Sequence, residues 1–328
     1  MRVFKKMIAM ELSLTFLVGM FSGCGDSSGN LTDSDSISVV TTIFPEYDWM
    51  KSIVGDDSDR VELTMLLDNG VDLHSYQPSA DDIIQIASCD LFVYVGGESD
   101  SWVDDVLAEA INKDMIVVDL MDVLGDAVQE EEVVEGMESE EESEEVEDEP
   151  EYDEHVWLSL QNAQVICQYL ADCLCEVDSE NSAVYENNVV DYLTQLQNLD
   201  AKYEEMVSTA ARDTVLFADR FPFRYLTDDY GLAYYAAFVG CSAETEASFE
   251  TIAFLARKVD ELELTSILVL EGSDRKIAET IISTAESEDV QILSIDSMQS
   301  VTSADVDQGA SYLSIMESNL NVLTQALS

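Results

Sequence analysis

Histidine is scarce in this 328-residue chain: only His74 and His155 occur, and neither belongs to a His-Glu-x-x-His helix or a comparable catalytic arrangement. A metal-dependent hydrolase, which needs several imidazoles around an open coordination position and a general base beside it, is therefore excluded. Basic residues are also few, 14 Lys and Arg against 69 Asp and Glu, for a formal charge of −55. A surface of that sign repels polyanions, so nucleic acid is a poor partner, whereas cations are attracted. Beyond the first twenty-odd residues no apolar run is long enough to span a bilayer.

Six cysteines are present. Setting Cys24 aside leaves Cys89, Cys167, Cys173, Cys175 and Cys241, an odd number that cannot all pair. They read as small apolar residues, not as a disulfide framework or a thiolate metal site. The hydrophobic content of 47% is that of a well-packed globular chain.

The N-terminus has the features of an export signal. Arg2, Lys5 and Lys6 precede a largely apolar run over residues 7–21, interrupted by Glu11. The run ends at Phe21-Ser22-Gly23-Cys24, which looks like a lipobox with Phe21 where the pattern prefers Leu. Residues 1–24 are thus expected to be a lipoprotein signal with Cys24 as the lipidated residue, and residues 25–36, rich in Ser, Gly and Asp, a flexible tether.

Short β-rich runs at 37–43, 61–66, 91–95 and 115–118 alternate with helix or loop segments. Four more runs, at 214–217, 232–238, 266–270 and 290–295, alternate with helical patterns such as 248–259 and 275–287. Alternation of this kind predicts an α/β chain of two lobes, each a mainly parallel four-stranded sheet flanked by helices. Between them Tyr185, Val189, Tyr192, Leu196, Leu199, Tyr203 and Met206 repeat at spacings of four and three. That stripe predicts one long rigid linking helix over 183–208, about 39 Å in length. Fewer than four heptads and no flanking charge code argue for packing on its own lobes, hence for a monomer. The expected division is an N-terminal lobe over 37–182, the helix, and a C-terminal lobe over 209–328. Within the first lobe, residues 129–154 are dominated by Glu and Asp. Self-repulsion and the lack of anything to bury predict a disordered loop there, either a weak collector of cations or a solubilising spacer.

Both histidines sit at loop positions beside acids. His74 lies in Gly70-Val71-Asp72-Leu73-His74-Ser75-Tyr76-Gln77-Pro78-Ser79, with Ser79 placed to cap a following helix; His155 lies in Asp153-Glu154-His155-Val156-Trp157-Leu158. A neighbouring carboxylate can bind a metal alongside an imidazole or fix its tautomer. In the second half Asp219, Glu271 and Asp296 each follow a strand run, at the carboxyl ends where open α/β sheets hold ligands. Two imidazoles from one lobe and carboxylates from the other would cage Zn²⁺, and Mn²⁺ is compatible with the same donors.

These motifs resemble the zinc- and manganese-specific cluster of ABC-transporter solute-binding proteins over essentially all of the chain after the signal. Thr41-Thr42-Ile43-Phe44-Pro45 is similar to the family's first strand. The His74 and His155 segments are similar to its first two ligand motifs, with Leu73 where the family usually has Pro, and Ile295-Asp296 is similar to its last. The resemblance implies an extracytoplasmic, lipid-anchored protein, at the cell surface or in the periplasm, that binds metal between two lobes and delivers it to the permease of an ABC importer. The same fold serving Mn²⁺, and a surface adhesin with a structural metal, are the alternatives. His74, His155 and Asp296 would be ligands. At the third ligand, His or Glu in the family, this chain reads Phe217-Ala218-Asp219-Arg220. Asp219 is the residue there with a suitable donor, leaving Arg220 to neutralise Glu244 or Glu246, and either glutamate is an alternative ligand.

Overall fold

The structure, a computed structural model, describes residues 36–55, 60–138, 151–242 and 246–328. The expected signal, Cys24 and tether lie outside the described residues, as do 139–150 of the acidic segment and Glu244.

The first lobe runs β1 (Ile37–Thr41), α1 (Phe44–Val54), β2 (Val61–Met65), α2 (Ala80–Ser88), β3 (Leu91–Tyr94), α3 (Val103–Ala108), β4 (Ile116–Asp119), α4 (Leu120–Leu124) and α5 (Leu160–Val177). After α6 (Ser182–Thr209) the second runs β5 (Thr214–Phe221), α7 (Arg224–Tyr230), β6 (Ala233–Val239), α8 (Phe249–Glu261), β7 (Ser266–Leu270), α9 (Lys276–Thr284), β8 (Gln291–Ile295), α10 (Ser303–Asp307) and α11 (Tyr312–Ala326). Each lobe holds a four-stranded sheet, ordered β2-β1-β3-β4 and β6-β5-β7-β8, and every strand pair is parallel. Sequence follows position: the inner strand Ser266-Ile-Leu-Val-Leu270 is buried throughout, while the edge strand Gln291-Ile-Leu-Ser-Ile295 is buried only at Ile295. Loops at the carboxyl ends of the strands carry the residues of interest.

The linking helix is the 28-residue α6, and all seven residues of its stripe are buried. It is tied to both lobes. The Asn188 amide donates to the carbonyl of Ile53 in α1 (2.9 Å), and the Tyr203 hydroxyl donates to that of Met316 in α11 (2.7 Å). One apolar cluster runs from the first sheet through α5 and α6 into the inner face of the second sheet; a smaller one lies beneath α8 and α9.

The acidic segment departs from expectation. Residues 130–138 are ordered against the second lobe, where the Glu138 N–H donates to the Ala237 carbonyl (2.9 Å) and Glu138 bridges Phe238 in parallel, extending the sheet beyond its edge strand β6. Glu132 pairs with Arg224 and accepts from the Tyr234 hydroxyl (3.1 Å), while Met137 is buried. Back toward the first lobe, Glu131 N–H donates to Glu151 O and Asp153 N–H to Gln129 O (2.8 and 2.9 Å). Self-repulsion is the wrong ruler for this stretch. An open strand edge offers backbone partners whatever the side chains carry, and Arg224 cancels part of the charge.

Burial of carboxyl groups sets a pH dependence. Asp48, in α1, accepts from the Tyr312 N–H of α11 (2.9 Å), and burial pushes its carboxyl up from 3.8 to about 6. The folded chain then holds a proton that the unfolded chain has lost, so stability present below pH 3.8 falls as pH rises through about 6. Asp100 and Glu271, each moved to about 7 chiefly by burial, act in the same direction. Asp48→Asn, which keeps the acceptor, is expected to raise the thermal midpoint at pH 8 by about 2–4 °C for each kcal/mol recovered and to change it little at pH 4. Thermal unfolding at the two pH values checks this.

Candidate metal centre

His74 is delivered by a turn built into its own motif. Gly70 takes a positive φ (+71°), and the Asp72 carboxylate then accepts from the His74 N–H (3.0 Å), starting a single helical turn over Leu73–Ser75. Leu73 is buried beneath it, and the Ser79 and Asp82 side chains close a capping box on α2, which fixes the far end of the loop. His155 lies just before α5, wholly buried. Its N–H donates to Asp153 Oδ1 (2.8 Å), and the Trp157 indole donates to the Ser297 carbonyl across the lobes (2.9 Å).

The two imidazoles meet through Nε2, 3.2 Å apart. Each ring's other nitrogen is committed elsewhere. His155 Nδ1 lies 3.0 Å from Asp153 Oδ1, and His74 Nδ1 lies 2.8 Å from Ser99 Oγ and 3.4 Å from Glu154 Oε2. The Asp153 carboxylate can only accept, so it holds the His155 proton on Nδ1 and leaves a lone pair on Nε2; the Ser99 hydroxyl, when it accepts from His74 Nδ1, leaves His74 in the same form. Two such lone pairs face to face repel unless a cation lies between them. Tetrahedral Zn²⁺, with Zn–N bonds of about 2.0–2.1 Å, separates neighbouring nitrogens by about 3.3 Å, and the observed spacing fits that demand.

The turn after β3 supports the pair. Gly97 has φ +80°, and a Cβ there would come within 2.4 Å of Glu154 Oε1, so glycine is required for the backbone to close on this carboxylate. Ser99 N–H donates to the same oxygen (2.8 Å). Burial opposes ionisation of Glu154, yet hydrogen bonds from His74 and Ser99 outweigh it and hold the carboxyl below its usual range.

The third residue in reach comes from the other lobe. One nitrogen of each histidine and Cys241 Sγ all lie within 4.8 Å of one another, the one such metal-binding group among the described residues. Cys241 follows β6. Gly240 brings the turn there close enough, since a Cβ on it would meet the His155 ring and the Phe221 carbonyl at 3.0 Å. Glu131 of the ordered acidic segment accepts from the Cys241 N–H (3.3 Å). Burial and the nearby carboxylates of Glu131, Glu154, Asp153 and Glu151 raise the thiol pKa well above its ordinary value.

The acids expected to complete a cage are placed otherwise. Asp219 lies at a break in β5, where the register with β6 shifts between Phe217 and Arg220. Its carboxylate accepts from Arg220 N–H (3.0 Å) and Leu270 N–H (3.3 Å), standing in for a backbone acceptor between β5 and β7. Asp296 accepts from Met298 N–H (2.7 Å), and Glu271 from the N–H and hydroxyl of Ser297 (2.8 and 2.7 Å). Glu246 is exposed. None of these four joins the group formed with the imidazoles.

Arg220, expected to neutralise Glu244 or Glu246, reaches across to Asp72 (2.6 Å); Glu244 lies outside the described residues. Burial opposes ionisation of Asp72, and Arg220 and His74 together more than offset it, holding that carboxyl below its usual range. With its nitrogen turned toward Asp72, the Gln299 amide donates to both carboxylate oxygens (3.0 and 3.3 Å). A cavity of about 520 Å³ opens between the lobes here, bordered by Asp72 and Ser75 on one side and by Asp219, Arg220, Glu271 and Gln299 on the other. Cys241 was missed because a cysteine count says nothing of which loops converge; its place directly after a strand, behind a glycine, was the available signal.

A family model described as the zinc-uptake complex component A, periplasmic, matches residues 39–326. The chain is 30% identical over 292 residues to the zinc-binding lipoprotein AdcA of Streptococcus pneumoniae strain R6, covering 88% of this chain and 55% of that one. It thus spans about half the length of the first curated relatives it matches. The high-affinity zinc uptake system protein ZnuA of Bacillus subtilis is 29% identical over 314 residues, 94% of each chain. Among solved structures, the Zn(II)-bound ZnuA-like domain of S. pneumoniae AdcA superposes with a TM-score of 0.69 at 27% identity, covering 89% of this chain and 99% of that one.

Two carboxylates separate outer-shell support from structural work. Asp153→Ala is expected to weaken divalent-ion binding roughly 10–100-fold, because it frees the His155 ring. Asp219→Ala is expected to leave binding within about threefold while costing about 1–3 kcal/mol of stability through the unmade bond to Leu270. Competition titration and denaturant unfolding of both variants check the pair.

Proposed function

The chain belongs to the zinc-uptake complex component A family, and from that premise we propose that it captures Zn²⁺ between its lobes at His74 and His155 and passes the ion to the permease of an ABC importer. The observation that carries this reading is the facing pair of Nε2 atoms at 3.2 Å, with the Asp153 carboxylate holding the His155 proton on the opposite nitrogen and Ser99 Oγ against that of His74. Such a pair is built to receive a cation, and its own lobe has fixed it before the ion arrives. Imidazole suits Zn²⁺ better than the harder Mn²⁺.

Capture and delivery divide between the parts of the fold. Asp153 holds the His155 ring in the ligating tautomer, and Ser99 and Glu154 orient the His74 ring. The α6 helix keeps the lobes at a fixed reach, while the Asp72 contacts to Arg220 and Gln299 cross the cleft and must part if it widens. With 69 acidic residues, the surface draws divalent cations toward the cleft. Anchoring at the membrane through Cys24 and the partnership with a permease belong to the same proposal, supported by the lipobox-like Phe21–Cys24 sequence and by family membership. No helix among the described residues is long and apolar enough to cross a membrane.

A delivery protein must fold with and without its cargo, whereas a site that holds the fold together collapses on chelation. The chain stripped of metal is therefore expected to retain its circular dichroism spectrum and a cooperative thermal transition. Added Zn²⁺ should raise the midpoint. His74→Ala and His155→Ala should each weaken Zn²⁺ binding by more than the roughly 100-fold typical of the strongest outer-shell changes. Unchanged affinity in both variants, measured by competition titration, would sink the proposal.

A further inference from the structure

We infer that Cys241 is a zinc ligand, so that the ion is held by two imidazoles from one lobe and a thiolate from the other. The inference rests on the capture reading above and deepens it. His74, His155 and Cys241 present their ligand atoms within 4.8 Å of one another. Zn–S of about 2.3 Å and Zn–N of about 2.0–2.1 Å put nitrogen and sulfur about 3.6 Å apart in a tetrahedral site. Contraction of at most about 1.2 Å closes the group on an ion.

The surroundings of the thiol are those of a positioned group. Gly240 lies against the His155 ring, where a side chain would force the turn outward. The Glu131 carboxylate holds the Cys241 N–H, so the ordered acidic segment and β6 together fix the residue. Cys89, Cys167 and Cys173 are buried away from both histidines, and none of them shares the group with the imidazoles. Asp219, Glu271 and Asp296 accept hydrogen bonds within their own lobe, and among the described residues Cys241 is the second-lobe side chain that joins the imidazoles.

On binding, the S–H bond breaks, the S–Zn bond forms and the proton passes to solvent. No electron moves. The chemical consequence is selectivity: a soft thiolate added to two imidazoles favours Zn²⁺ and disfavours Mn²⁺, which prefers carboxylate, carbonyl and water. A second consequence concerns closure. Because the sulfur and the nitrogens belong to different lobes, the ion itself links them.

The test uses the whole chain loaded with Co²⁺ as a spectroscopic stand-in for Zn²⁺. The wild-type complex is expected to show a near-ultraviolet thiolate-to-cobalt charge-transfer band, and Cys241→Ser to lose it. Zn²⁺ affinity should drop at least tenfold in Cys241→Ser and recover in Cys241→His. Peptide mapping after alkylation supplies a readout that needs no variant: Zn²⁺ should slow modification of Cys241 in the wild-type chain. If the wild-type chain binds Co²⁺ without the band and Zn²⁺ leaves Cys241 alkylation unchanged, the thiolate assignment falls while capture by the histidines stands. If the wild-type chain binds neither ion, both fall.

Discussion

Everything about the site depends on one electrostatic constraint: the Nε2 atoms of two imidazoles, His155 buried and His74 partly buried, face one another at 3.2 Å. Left bare they repel, and only a proton or a metal ion placed between them turns the arrangement into attraction. The surrounding residues impose that condition. Asp153 and Glu154 come from the same short segment as His155, so a single stretch of chain supplies one ligand, its own orienting carboxylate and a carboxylate for the other ligand. Gly97 exists to let that second carboxylate in.

The second lobe contributes in a different way. Its strands end in acids that look, in sequence, like a ready set of hard ligands, yet Asp219, Glu271 and Asp296 each accept from a backbone N–H group of their own lobe. What it sends across the cleft is Arg220 and Gln299, both to Asp72, together with Cys241 toward the histidines. A cation at this position in so acidic a chain would hardly be expected from composition. Arg220 offsets the charge of Asp72 beside the imidazoles.

The sequence carried the fold well because its signals are repetitive. The stripe from Tyr185 to Met206 announces α6, and alternating apolar runs announce both sheets, since parallel strands buried on two faces leave little choice of residue. His74 and His155 were legible because their flanking residues do local work: Asp72 caps His74's turn and Asp153 binds His155 within two positions. The hydrogen bond of Asp219 to Leu270 N–H depends on a register shift in β5, which cannot be seen without the partner strand. Residues 130–138 were misread because edge pairing depends on β6, about a hundred residues away. Cys241 needed three loops brought together. In each case the determining contact is long-range, and no local pattern encodes it.

The central claim is that the cargo ion sits between His74 and His155. Crystals of the zinc-loaded chain, measured on both sides of the zinc absorption edge, locate the ion directly. The account predicts an anomalous peak bonded to both Nε2 atoms at about 2.0–2.1 Å. A peak held by carboxylates elsewhere in the cleft, with the two imidazoles unbound, would contradict it.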